Sequence, residues 1–256
     1  VTLTVLDADG HEIIAHHAGQ YARGELLVDP DAQEEDDWRH QTPRTPEAVV
    51  FKARLLDQNA WFAASIEVLQ AGRDKFPQDG PIALALGIMR LKQGLPAQAK
   101  ELIESAMAAG GVDPDEAAFY LAEAMYRLGD LDGAMAGWSA LPQDGPFGQA
   151  AIMARAKARL AGGDHEAALT LLAPMVRGGQ GRPMAYAWTS VAMRRQEQPD
   201  RARAMAGAAL KRDPLSLMGQ VELAILNGMS LATLPALRDE PRRIEAAMDY
   251  AAIGQF

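Results

Sequence analysis

Val1, Leu3 and Val5 alternate with Thr2 and Thr4, the period-two pattern of a strand with one buried face. Asp9-Gly10 is a two-residue hairpin signal, and Glu12-Ile13-Ile14-Ala15 supplies the returning strand. A lone hairpin is marginal in water, so residues 1–17 are expected to be the remnant of an upstream β-domain. Residues 18–46 show no period and read as a linker, pinned at Trp38. From residue 47 onward apolar positions recur at helical spacing, and the expected helices come in pairs. The pairs are 47–58 with 61–76, 81–93 with 96–109, and 114–128 with 131–141. They continue as 147–161 with 165–176, the latter shortened by Pro174, and 183–196 with 199–211. Beyond Pro214 the pattern weakens, and 215–227, 231–237 and 242–253 suggest a sixth pair and the start of a seventh.

The turns inside the pairs fall at Ala60, Gly94, Gly129, Gly163 and Glu197, spaced 34, 35, 34 and 34 residues apart. Five residues after each comes a small side chain: Ser65, Ala99, Ala134, Ala168 and Ala202. Pro77, Pro146 and Pro214 follow the first, third and fifth turns and stop the second helix of the pair. A helix-turn-helix unit of 34 residues with this pattern resembles the tetratricopeptide repeat. The expected fold is all-α, a tetratricopeptide-like right-handed superhelix of helical hairpins carrying a short N-terminal β-hairpin remnant. Residues 1–17 are then the remnant, 18–46 an acidic linker and 47–256 the array.

Charge sharpens this division. The chain carries -9 overall. Residues 1–47 hold eleven of the 34 acids and only Arg23, Arg39 and Arg44 of the 25 bases, so the helical body is almost neutral. An acidic leader on a neutral body does not attract polyphosphate, which disfavours nucleic acid as a partner. No apolar run approaches the roughly 20 residues that a membrane helix needs. The absence of cysteine removes disulfides, thiolate catalysis and thiolate metal sites. No cofactor is expected, and a cytoplasmic location is favoured. Because the chain opens on Val1 in strand-like sequence and stops at Phe256 where another helix is due, it reads as a piece of a longer protein.

The order of these parts resembles the C-terminal half of the family known as domain of unknown function 5107. There a galactose-mutarotase-like β-sandwich precedes a long tetratricopeptide array. The stretches that carry the likeness are VTLTVLDADG, IALALGIMRLKQGLPAQAKELIESAM, DPDEAAFYLAEAMYRLGDLDGAMAGW, FGQAAIMARAKARLAGGDHEAALTLL and LKRDPLSLMGQVELAIL with the tail RIEAAMDYAAIGQF. The linker is shorter than the family's, and Ala60 and Glu197 replace its turn glycine. The resemblance implies a carbohydrate-active, glycosidase-like parent whose catalytic residues would precede Val1, so none carries over.

Motifs with apparent chemistry have plainer readings. Asp7-Ala8-Asp9-Gly10-His11 lacks the later oxygen ligands of a calcium loop, and a hairpin turn accounts for it. His11, His16 and His17 set at most two imidazoles on one strand face, with no third ligand in the sequence pattern, and His165 reads as a surface residue. Glu34-Glu35-Asp36-Asp37 is a solvated run, because catalytic carboxylates face each other across a cleft on rigid elements. Gly178-Gly179-Gln180-Gly181 lacks a P-loop lysine and is an inter-repeat loop. Leu121, Met125, Leu128 and Met135 form a stripe expected in the core.

Such an array binds through the concave surface made by the first helix of each pair. Counting back from the turns places Leu84, Ile88, Leu91 and Lys92 there, then Glu116, Phe119, Glu123, Tyr126 and Arg127. Met153, Lys157 and Leu160 follow, then Ala187, Val191, Arg194 and Arg195. Leu84 and Ile88 occupy the places where chaperone-tail receptors of this fold carry a carboxylate-clamping lysine and asparagine, so that ligand is disfavoured. The partner candidates are Phe119, Glu123, Tyr126, Arg127, Met153, Lys157, Arg194 and Arg195, with Phe119, Tyr126 and Arg127 as a possible peptide or sugar platform. Ile244, Met248, Tyr250, Ile253 and Phe256 make an apolar end expected to be an interface. The chain itself is read as a non-catalytic scaffold. Its expected partner is its own upstream β-domain or another chain, which could be a second copy. The alternative is a freestanding adaptor that binds an extended peptide.

Overall fold

The structure, a computed structural model, describes residues 43–177, 181–231 and 234–235, together with the backbone of residues 2–6 and 12–17. The expected turn at Asp9-Gly10, residues 18–42 of the linker, the glycine loop at 178–180, the helix at 242–253 and the apolar end from Ile244 to Phe256 lie outside the described residues. Strand β1 (Thr2–Leu6) pairs antiparallel with β2 (Glu12–His17). The pairings run in step from Thr2↔His17 to Val5↔Ile14, and the register shifts between Val5 and Leu6, which pairs with Glu12.

Two compact units follow from the packing, Val1–Ala124 and Met125–Phe256. The first contains α1 (Pro46–Gln58), α2 (Phe62–Lys75), α3 (Gly80–Lys92), α4 (Pro96–Ala109) and most of α5 (Pro114–Arg127). The second contains the end of α5, then α6 (Leu131–Ala140), α7 (Gly148–Ala161), α8 (His165–Arg177), α9 (Pro183–Arg195), α10 (Pro199–Arg212) and α11 (Leu217–Leu226). These bounds match the expected pairs within one or two residues. Proline stands in the first turn of α1, α3, α4, α9 and α10, where its missing N–H loses no hydrogen bond. Asp79, Asp130 and Asp164 cap α3, α6 and α8 by accepting backbone N–H bonds from Ile82, Gly133 and Ala167.

Pro174 lies inside α8, which runs through it to Arg177, one residue past the expected end. Leu172 is fully buried, and Met175 and Val176 pack against it with Ala156 and Ala185. Burying those side chains outweighs the hydrogen bond that proline removes.

Every expected turn residue has a left-handed backbone, with φ of 60° at Ala60, 74° at Gly94, 88° at Gly129, 78° at Gly163 and 59° at Glu197. Gly228 (φ 65°) takes the same role, only 31 residues after Glu197, because α11 is shorter than the earlier first helices. Left-handed backbone costs an L-residue with a Cβ about 1–2 kcal/mol, while glycine adopts it freely. Ala60→Gly and Glu197→Gly are therefore each expected to raise stability by about 0.5–1 kcal/mol after the added entropy of the unfolded chain is subtracted. Chemical denaturation of the single variants checks this; a fall in midpoint at both sites would contradict it.

The small residues after the turns do what the period requires. Ser65, Ala99, Ala134, Ala168 and Ala202 are all at most 1% exposed. Ser65 Oγ donates to the Ala53 carbonyl at 2.8 Å across the first pair, and Ser190 Oγ donates to the Ala202 carbonyl at 2.9 Å across the fifth. In the second pair Gly87 takes the position of Ala53, and a Cβ there would lie 2.8 Å from Ile103 Cγ1. The stripe assigned to the core is partly misplaced, since Leu128 is 46% exposed beside the turn at Gly129.

Candidate functional site

In the first unit the faces of α1, α3 and α5 enclose a groove of about 400 Å³. Leu84 and Ile88 are one helical turn apart on α3 and form its floor with Met89 and Ala85. Lys92 closes the row one turn further on. Arg54 and Asp57 stand on the α1 wall, and Asp113, Glu116 and Tyr120 on the α5 wall. Ala53, Ser65 and Ala85 are small, which keeps the volume open.

The rim is held by ion pairs that join the walls. Lys92 Nζ donates to both carboxylate oxygens of Asp57 at 2.6 Å and lies 5.8 Å from the centre of the Phe62 ring. Arg54 Nη2 reaches Glu116 Oε2 at 3.9 Å, linking α1 to α5, with the arginine side chain 65% exposed. An exposed pair at that distance contributes little, roughly 0–1 kcal/mol. Asp113 Oδ1 accepts the Asp115 and Glu116 backbone N–H bonds at 2.8 and 3.2 Å, fixing the start of α5. Burial pushes the Tyr120 phenol above its ordinary value, and Glu116, Asp57 and Glu123 push it further while Arg54 opposes them.

Of the residues chosen from the groove-facing count, Leu84, Ile88, Lys92 and Glu116 line this groove. Arg54, Asp57 and Tyr120 were missed. The same count taken back from Ala60 by six and three reaches Arg54 and Asp57, so the signal was present. Tyr120 lies one position after the counted Phe119, and the two rings meet edge to face at 5.3 Å. Glu123 is half-buried one turn beyond Tyr120.

In the second unit Tyr126, Lys157 and Trp138 come together. Lys157 Nζ lies 5.4 Å from the Tyr126 ring centre, and the Tyr126 and Trp138 rings are 5.7 Å apart. Arg127 is exposed next to Tyr126. Met153 packs on the Ala156, Leu172 and Ala185 core, and Leu160, Ala187 and Val191 are buried rather than lining a surface. Arg194, expected in a groove, instead donates through Nε and Nη2 to both carboxylate oxygens of Glu222 at 3.0 and 2.9 Å. Glu222 is fully buried.

His165, read as a surface residue, is half-buried, and its Nε2 is buried with no hydrogen-bond partner among the described residues. Burial and then Arg195 lower its pKa from the ordinary value, with Arg194 adding to the effect and Asp164 opposing it. Its neutral form is therefore favoured in the fold. That contribution is present above the unfolded pKa and is lost as pH falls through the folded one.

Among the described residues no group of histidine and carboxylate side chains could hold a metal ion, and no helix is long and apolar enough to cross a membrane.

The tetratricopeptide repeat family model matches residues 84–140. No curated protein matches the sequence. Among solved structures, a thermophilic tetratricopeptide protein of Thermus thermophilus is 18% identical with a TM-score of 0.58, over 72% of this chain and 100% of that one. The C-terminal part of a repeat-containing protein from Cytophaga hutchinsonii is 15% identical with a TM-score of 0.58, over 79% of each chain. YrrB, a tetratricopeptide protein with an unusual peptide-binding site, is 14% identical with a TM-score of 0.50, over 73% of this chain and 93% of that one. At these identities the likeness shows the fold, which is that of tetratricopeptide-type helical hairpins.

Proposed function

We propose that this chain is a non-catalytic interaction scaffold and that the groove of its first unit seats an extended peptide segment of a partner. The observation that carries this reading is the groove's construction. An apolar floor at Leu84 and Ile88 lies between polar walls whose charges are paired across it, and its volume lies in the range of small-ligand sites, about 300–1,000 Å³. An extended segment sets alternate side chains on one face, so one can enter the floor while its neighbours meet the rim. The peptide-binding site of YrrB supports the reading by analogy. Tyr126, with Lys157 over its ring and the buried Trp138 behind it, offers the second unit a further aromatic contact.

The succession of hairpin, linker and array supports a scaffold that serves a larger protein. The resemblance to the mutarotase-like sandwich family gives that protein a carbohydrate-active character. Sequencing upstream of Val1 tests this part, and a parent without a sandwich there sinks it.

Ile88 tests the groove because it is half-buried and lines the floor. Ile88→Asn is expected to weaken binding of an apolar-containing extended peptide by at least about tenfold, equivalent to about 1.4 kcal/mol. Helical content should stay unchanged. Anisotropy of labelled peptides reads the affinity, and equal affinity for both proteins would rule the groove out.

A further inference from the structure

We propose that the segment seated in the α1–α3–α5 groove is basic: an apolar side chain enters the Leu84–Ile88 floor, and an adjacent lysine or arginine meets Glu116. The inference rests on the groove reading above and adds the partner's charge. Three carboxylates, Asp57, Asp113 and Glu116, line the groove against two cations, Arg54 and Lys92.

The two cations differ in how firmly they are held. Lys92 is bound to both oxygens of Asp57, whereas Arg54 reaches Glu116 only at 3.9 Å and is largely exposed. An incoming cation can therefore take Glu116 while Arg54 swings into water at small cost. An incoming carboxylate gains no such opening, because Lys92 is already engaged and Glu116 and Asp113 stand on the facing wall. Tyr120 stands on the same wall: burial raises its pKa first, Glu116, Asp57 and Glu123 raise it further, and Arg54 opposes them. Its ring also offers a face on which a cation is favoured.

The test uses the full chain and three labelled decapeptides in which leucine alternates with lysine, glutamine or glutamate. The lysine peptide is expected to bind about tenfold tighter than the glutamate peptide at low salt, with glutamine between them and the gap narrowing as salt rises. Glu116→Gln should reduce the preference for lysine over glutamate about threefold. Equal or tighter binding of the glutamate peptide, with Ile88→Asn still abolishing binding, overturns the inference and leaves the groove reading standing. A lysine preference untouched by both Glu116→Gln and Asp57→Asn also overturns it, since the preference would then come from the chain's overall charge of -9. If no peptide binds, or Ile88→Asn changes nothing, the groove reading falls and takes the inference with it.

Discussion

Arg194→Ala is expected to destabilise the protein by about 3 kcal/mol, one of the two largest effects predicted for this chain. Glu222 is fully buried and accepts two hydrogen bonds from the Arg194 guanidinium, whose side chain keeps 21% of its surface exposed. Truncating the arginine removes both bonds and the countercharge while leaving the carboxylate out of water. The reverse change, Glu222→Ala, should cost less, because the guanidinium is close enough to solvent to be rehydrated. The two variants thus separate desolvation from packing. Denaturant melts of both variants provide the measurement. Equal losses in the two would show that the pair contributes only through shape.

Gly80→Ala is expected to cost about 3 kcal/mol for a different reason, the collision of one added methyl group with backbone. Gly80 opens α3 directly after its cap Asp79, at the point where the chain turns from the first pair into the second. A Cβ there would overlap the Gly110 carbonyl oxygen and sit 3.0 Å from the Ala106 carbonyl oxygen, both at the end of α4. Neither atom can swing aside as a side chain would. Gly207→Ala makes the control, because nothing lies within 4 Å of its added methyl and alanine favours the helix. Thermal unfolding should show a large drop for the first and none for the second. Similar melting temperatures for both would mean the helix ends are not packed as described.

The helices were legible because two backbone signals agree along the chain. Proline in the first turn marks the starts of α1, α3, α4, α9 and α10, and the left-handed turn residue fixes the register of each pair even where it is Ala60 or Glu197 instead of glycine. Pro174 sits inside α8 without ending it, because the packing of Leu172 and Val176 holds the helix past it. The groove was legible only in part. Counting positions identifies the helix face, and it reaches Arg54, Asp57, Leu84, Ile88 and Glu116 alike. It cannot decide between Phe119 and Tyr120, whose ring directions are set by neighbouring side chains. Nor can it foresee that Arg194 is committed to Glu222, 28 residues further on, or that His165 lies in the field of Arg195 on another helix. Those outcomes depend on which side chains meet across helices, and periodicity is silent about that.

The turn slots have a practical side. At Gly94, Gly129, Gly163 and Gly228 a side chain would find nothing within 4 Å, and Ala60 and Glu197 already carry exposed ones. The slot therefore constrains the backbone's handedness and leaves the side chain without a task. Since the chain has no cysteine, a single thiol placed at Ala60 or Glu197 would be unique. Both sites already bear the backbone strain, so a dye or spin label could be attached there without touching any core. Together they form a set of handles recurring about once per repeat.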